Sequence, residues 1–316
     1  MGVNAENGFL GYTRVKDSTS ISEAYVALSH NVKGDVQTIS AGEDLTYKIT
    51  FENTTDVPIR NWRLRAKLSG ELYDLSTLVP SNASFDASTN TLTWTPSGLP
   101  DLRVLEAGEK GSVEYKISLK DRVPVNSPDD KNYTVQSKAS FESDEIPAEL
   151  GVNKVVESNI SEVKMHTKFF ASSTKNYNSN ISSIVNSGPN PPQINKRTTY
   201  TIKWEADNLT NTVSGVKFQT SLPPNVEWTG QTETGGGDLT YKEGSRVVTW
   251  TIDSIPPHTG FLNPTQRAVF QVAITPPPNT ESRMQLLKPT SYEATDVFTN
   301  KQFQGTLERL RVPLAQ

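Results

Sequence analysis

One strand pattern is written twice along this chain, and that repetition limits the fold more than any other feature. Tyr47-Lys48-Ile49-Thr50-Phe51 answers to Tyr200-Thr201-Ile202-Lys203-Trp204, and Thr91-Leu92-Thr93-Trp94-Thr95 to Val247-Val248-Thr249-Trp250-Thr251. Val113-Glu114-Tyr115-Lys116-Ile117 answers to Ala268-Val269-Phe270-Gln271-Val272. The separations, 153, 156 and 155 residues, agree within three positions. Apolar and polar side chains alternate in most of these segments, the period of a strand with one buried face. Trp62, Leu64, Ala66 and Leu68 continue the rule, with Arg63, Arg65 and Lys67 turned outward. No stretch keeps helical spacing for three turns without proline or glycine, so helix should be scarce. The pattern predicts an all-β chain of two tandem immunoglobulin-like antiparallel β-sandwich domains. An N-terminal extension covers 1–20, the first repeat 21–160 and the second 161–316.

Length and composition agree with that reading. A chain of 316 residues has room for about two domains. Ser and Thr number 66 and apolar residues make up only 34%, which suits thin two-layer bodies with one wet face per sheet. A net charge of −4 gives a phosphate backbone no general attraction, so no nucleic acid partner is expected. The lack of cysteine removes disulfides, thiolate metal sites and thiol nucleophiles together. The longest apolar run, Ala24 to Leu28, falls far short of the ~18 residues of a membrane span, leaving membrane contact to a segment outside this chain. The opening Met1-Gly2-Val3-Asn4-Ala5-Glu6-Asn7 carries no leader or acylation pattern and reads as a cropped or artificial start.

Gly42 to Lys120 holds a Tyr-x-Ile strand from Tyr47, an Asn-Thr turn at Asn53, a Trp-Thr strand at Trp94 and a glycine turn at Gly108. Tyr200, Leu222-Pro223 and Trp250 repeat the order. This arrangement resembles the repeat domains of unknown function of bacterial and archaeal surface proteins. Ser84-Phe85-Asp86 and Thr93 to Pro100 are most similar to hypothetical envelope-anchored proteins of small-genome uncultured bacteria. Two departures stand out: Ala206 occupies the expected turn-Asn position in the second copy, and the first copy lacks the Leu-Pro corner. The resemblance implies a fold and a cell-surface, extracellular location, and no activity. The function expected is a non-catalytic structural or adhesion module, a spacer or stalk of the bacterial envelope whose partner is a protein, a glycan or a copy of itself. The alternatives are a carbohydrate-binding or accessory module of a secreted glycan-active protein, and a subunit of a surface layer or filament.

Candidate sites are few. His30, His166 and His258 are isolated, no Gly-x-Ser-x-Gly elbow occurs, and they are read as surface or strand-end residues; no cofactor is expected. Asp296 falls on the inward side of its strand. It is either a strand-end carboxylate accepting loop N–H groups or, with Glu205, Asp207 and Asn208, a calcium site. Trp62, Trp94, Trp204 and Trp250 sit at core positions, whereas Trp228 follows Pro223-Pro224-Asn225 and is the candidate sugar platform. Arg63, Arg65 and Lys67 form a basic stripe, either a solvated strand face or a contact for an acidic glycan or subunit. Lys48 and Lys203 point away from the core, so no Lys–Asn crosslink is expected. Gly8 to Val15 is apolar and β-prone, and is read as a tail on its own domain or a strand donated to another subunit.

Overall fold

The computed structural model describes residues 2–5, 8–11, 24–146, 154–178, 182–280 and 282–315. Among them there is no α-helix; the one helical turn is a 3₁₀ segment at Pro100–Arg103. The strands of the first half are β1 Gly2–Ala5, β2 Gly8–Gly11, β3 Val26–Val32, β4 Thr38–Ile39, β5 Asp44–Asn53, β6 Ile59–Arg60 and β7 Trp62–Ser69. They continue as β8 Tyr73–Val79, β9 Ser84–Asp86, β10 Thr91–Trp94, β11 Val104–Leu105, β12 Lys110–Leu119, β13 Thr134–Ser143 and β14 Val155–Met165. The second half holds β15 Phe169–Asn176, β16 Thr198–Asn208, β17 Val213–Ser221, β18 Val226–Thr234, β19 Asp238–Lys242 and β20 Val247–Ile255. It ends with β21 Gln266–Ile274, β22 Arg283–Leu287, β23 Thr290–Asp296, β24 Gln302–Leu307 and β25 Leu310–Pro313.

The strands form several antiparallel sheets, with one short parallel pairing between β14 and β4. A four-stranded sheet, β3-β5-β12-β8, and a six-stranded sheet, β4-β14-β13-β7-β10-β9, share one hydrophobic cluster drawn from Tyr25 to Met165. In the second half β15-β16-β21-β18 and β19-β20-β17-β23-β24 share another, from Tyr200 to Val312. The strand orders correspond one to one, β3 with β15, β5 with β16, β14 with β24 and so on, apart from β4. Two-residue periodicity is why: Tyr47, Ile49, Trp62, Leu64 and Trp94 in one half and Ile202, Trp204, Phe218 and Trp250 in the other are all buried.

Within the fold, sequence and structure differ at the second turn, at the histidines and at the division between the halves. The turn Asn of the second copy is Asn208, two residues beyond Ala206. A two-residue extension leaves every side chain of the strand on its original face. Of the histidines read as surface or strand-end residues, His166 does follow the end of β14 and is half-buried, whereas His30 and His258 are buried. The division at 160/161 falls inside β14, which pairs with β13 along most of its length. The polar run Glu157-Ser158-Asn159 reads as a break, but Ser158 Oγ accepts the Ala139 N–H at a bulge (2.9 Å) and Asn159 bonds to β3. Gly8–Gly11 pairs with Gly2–Ala5 as a hairpin, while the rest of the stretch to Val15 lies outside the described residues.

Candidate functional site

A built polar arrangement lies where the two halves meet, over His166-Thr167-Lys168. The link begins bound to the first half, since the His166 N–H donates to Ile39 O (2.8 Å) in continuation of the β14–β4 pairing. Its ring already belongs to the second half, with Nδ1 2.8 Å from Thr299 Oγ1. Burial holds the His166 imidazole below its ordinary pKa, and Lys301 adds to the effect.

Asp296, at the end of β23, is the hub. Its Oδ2 accepts the Thr167 N–H and Asn211 Nδ2, both at 2.8 Å, and its Oδ1 accepts the N–H groups of Phe298 (2.9 Å) and Thr299 (3.2 Å). A fully buried carboxylate is tolerable when its lone pairs are filled in this way. Asn208 extends the network. Its Oδ1 accepts Thr167 Oγ1 (2.8 Å), while its Nδ2 serves the carbonyls of Asn211 and Pro256. Asn211 Nδ2 also donates to Met165 O (2.9 Å). On the flank, His258 Nε2 lies 2.8 Å from Asp130 O, and the Asn132 N–H donates to Thr210 O (3.3 Å). The third link residue completes the contact, with Lys168 Nζ 3.4 Å from Asp121 O.

The proposed calcium ligands do not converge. Asn208 points into the core and Glu205 and Asp207 point out, because neighbouring positions of a strand face opposite ways. Glu205 pairs with Lys203 (2.6 Å). Asp207 packs beside Gly260; burial raises its carboxyl above the ordinary range, with Glu205 adding to it. No group of three His, Asp or Glu side chains fit to hold a metal occurs among the described residues.

Trp228 is half-buried rather than exposed. One neighbour is Tyr241, stacked at 4.9 Å and 12°, and another is the core ring Phe270 at 5.3 Å. The pair comes from β18 and β19, edge strands of the two sheets, and closes that side of the second half. An open cleft of about 450 Å³ lies against it, lined also by Asn225, Glu227, Glu243 and Arg246. Arg246 is occupied by backbone, donating to the carbonyls of Pro223 (2.7 Å) and Val226.

The basic stripe is largely neutralised. Arg63 meets Asp144 (2.8 Å) and Arg65 meets Glu142 (2.5 Å), both acids being on or just beyond the neighbouring strand β13. Lys67 lies opposite Lys138, which pairs with Glu157. Lys48 is exposed; the outward Lys203 is half-buried at its Glu205 pair.

Sequence reasoning singled out Asp296 but missed Thr167, Asn211, His166 and His258 as its companions. Three of these contacts join residues 85, 129 and 133 positions apart, and no local pattern carries them.

A family described as a domain of unknown function (DUF7619) matches residues 27–139, less than half of the chain. No curated protein matches it. Among solved structures, the chain is weakly similar to the C-terminal domain of the Streptococcus pyogenes antigen I/II-family protein AspA. That match has 9% identity and a TM-score of 0.37, and covers 93% of this chain and 100% of the other. A second match is AvmM, which catalyses macrocyclization in alchivemycin A biosynthesis. It has 11% identity and a TM-score of 0.28, and covers 45% of this chain and 87% of the other.

Proposed function

We propose that the chain is a pair of immunoglobulin-like sandwiches, joined at His166–Lys168, that works as a stiff spacer or adhesion module at a bacterial cell surface. The observation that carries this reading is the hydrogen-bonded link. A mobile tether would present exposed, glycine- or serine-rich residues. Here Thr167 is buried and both its N–H and its hydroxyl are bonded to the second half. Each half is closed by its own core, so any recognition falls to loops and edges while the joint fixes how far apart they stand.

Small-angle scattering tests the stiffness. The wild-type chain should scatter as a single elongated shape with one interdomain geometry. Asp296→Ala removes four accepted hydrogen bonds and should broaden the distance distribution while each half keeps its strands by circular dichroism. A broad distribution for wild type would refute the spacer reading.

A second reading, a glycan-binding module, is favoured by the cleft beside Trp228 and Tyr241. It predicts a glycan-array signal lost in Tyr241→Ala, and silence on the array would remove it.

A further inference from the structure

Among the described residues, two edge strands of the large sheets, counting those longer than three residues, contain no Lys, Arg, Asp, Glu or Pro: β3 and β24. Charges and prolines are the usual guards of a sheet edge, since an unguarded edge presents free N–H and C=O groups to any passing strand. The remaining long edges are guarded, β8 by Asp74, β15 by Lys175, β18 by Glu227 and Glu233, and β19 by Asp238 and Lys242.

The molecule seals β3 itself. Asn159, reaching across from β14, accepts the His30 N–H on Oδ1 (3.1 Å) and donates Nδ2 to the His30 carbonyl (2.8 Å). Its carboxamide thus takes the place of a neighbouring peptide. β14 in turn is partly covered by β4. β24 is the counterpart of β14 and, among the described residues, has neither device. It pairs with β23 on one side and with no strand on the other among the described residues.

We infer that β24 is sealed by β24 of a second copy, antiparallel, making one continuous sheet through both molecules. Phe303 and Leu307 face the core and Gln302, Gln304 and Thr306 face solvent. A copy that continues the sheet with its apolar side on the same face must pair even positions with even ones. A two-fold axis at Gln304 does this, setting Gln302 opposite Thr306. The paired strands are uncharged, so self-association meets no like-charge penalty within them. Beyond their ends Glu308 falls opposite Asn300 and next to Lys301 of the other copy, with Arg309 opposite Thr299.

Sedimentation velocity on the whole chain from micromolar to millimolar concentration tests this. Wild type should pass from monomer to dimer. Gln304→Lys places two like charges across the axis and should weaken the dimer about tenfold or more. Thr306→Pro, at a solvent-facing edge position, should do the same. Both variants should keep the wild-type melting temperature within a few degrees. A wild type that stays monomeric throughout overturns the inference. So does a dimer that survives both substitutions, and one lost only on deletion of residues 1–18 would place the contact at the N-terminal segment instead. These outcomes are separate from the spacer reading, because a monomer can still scatter as a stiff rod.

Discussion

Asn53 and Asn208 occupy the same corner of the two halves, and their difference shows how a turn becomes a joint. Asn53 Nδ2 donates to the carbonyls of Val57, Leu105 and Glu106. Asn208 Nδ2 likewise serves one carbonyl just beyond it in sequence, Asn211, and one far along the chain, Pro256. The acceptor side is where they part. Asn53 Oδ1 takes the N–H and hydroxyl of Thr55, two residues on, and so caps its own turn. Asn208 Oδ1 takes the hydroxyl of Thr167, 41 residues away on the link. A free acceptor on an otherwise conventional corner is enough to bind the preceding half, once Asp296 and Asn211 are there to hold the rest of the link.

The comparison can be broken most forcefully at the paired tryptophans. Trp94 and Trp250 are both fully buried, and each donates its indole N–H to a loop carbonyl, Ser81 O at 3.0 Å and Gly236 O at 2.9 Å. Substituting either with alanine should cost about 3–5 kcal/mol. In urea unfolding Trp94→Ala should shift the transition of the first half and Trp250→Ala that of the second. One transition that moved equally in both variants would show that the halves are not separate cooperative units.

Acid should separate the halves next. His30 is fully buried beside the stacked rings of Tyr47 and Tyr115, with Nε2 3.0 Å from Tyr115 Oη, and burial pushes its pKa down to about 4. The folded first half therefore prefers the neutral ring. The stability this contributes is complete above the ordinary value of about 6.5 and is lost as the pH falls toward about 4, in all about 3 kcal/mol. Melting curves between pH 7 and pH 4 should show the first half failing before the second, and His30→Gln should flatten the difference. Equal acid sensitivity in that variant and in wild type would exclude His30 as the cause.

The smallest effect sharpens the comparison by its sameness. Arg63 and Glu142 pair across β7 and β13, as Lys217 and Glu293 do across β17 and β23. Both are surface pairs, so Arg63→Ala and Lys217→Ala should each change stability by no more than about 0.5 kcal/mol in low salt. A markedly larger loss at Arg63 would indicate that its contact with Asp144 contributes as well.

Much of the fold was legible because strand alternation is local. Leu45 to Phe51 names its buried face within seven residues, and the recurrence of that phrase at Tyr200 announces a second core. Trp62, Trp94, Trp204 and Trp250 could be placed inside by counting in twos. Trp228 could not, because its cover comes from Tyr241 on a strand of the other sheet. Counting in twos puts His30 on the face of Val26 and Val32, but only the packing of β3, β5 and β12 against β13 of the other sheet, where Tyr115 bonds both His30 and Ser137, accounts for a polar ring there.

By itself, then, the sequence determined the all-β character, the doubled pattern and the aromatic cores, since each follows from the period of side chains along one strand. The tertiary structure alone decided the joint and the edges. Thr167, Asn211 and Asp296 meet only after two halves have folded, and Asn159 mimics a peptide only when β14 passes β3. Hydrogen bonds between groups that far apart leave no periodic trace in the chain. They are set by distance in space, which only the packed sheets fix.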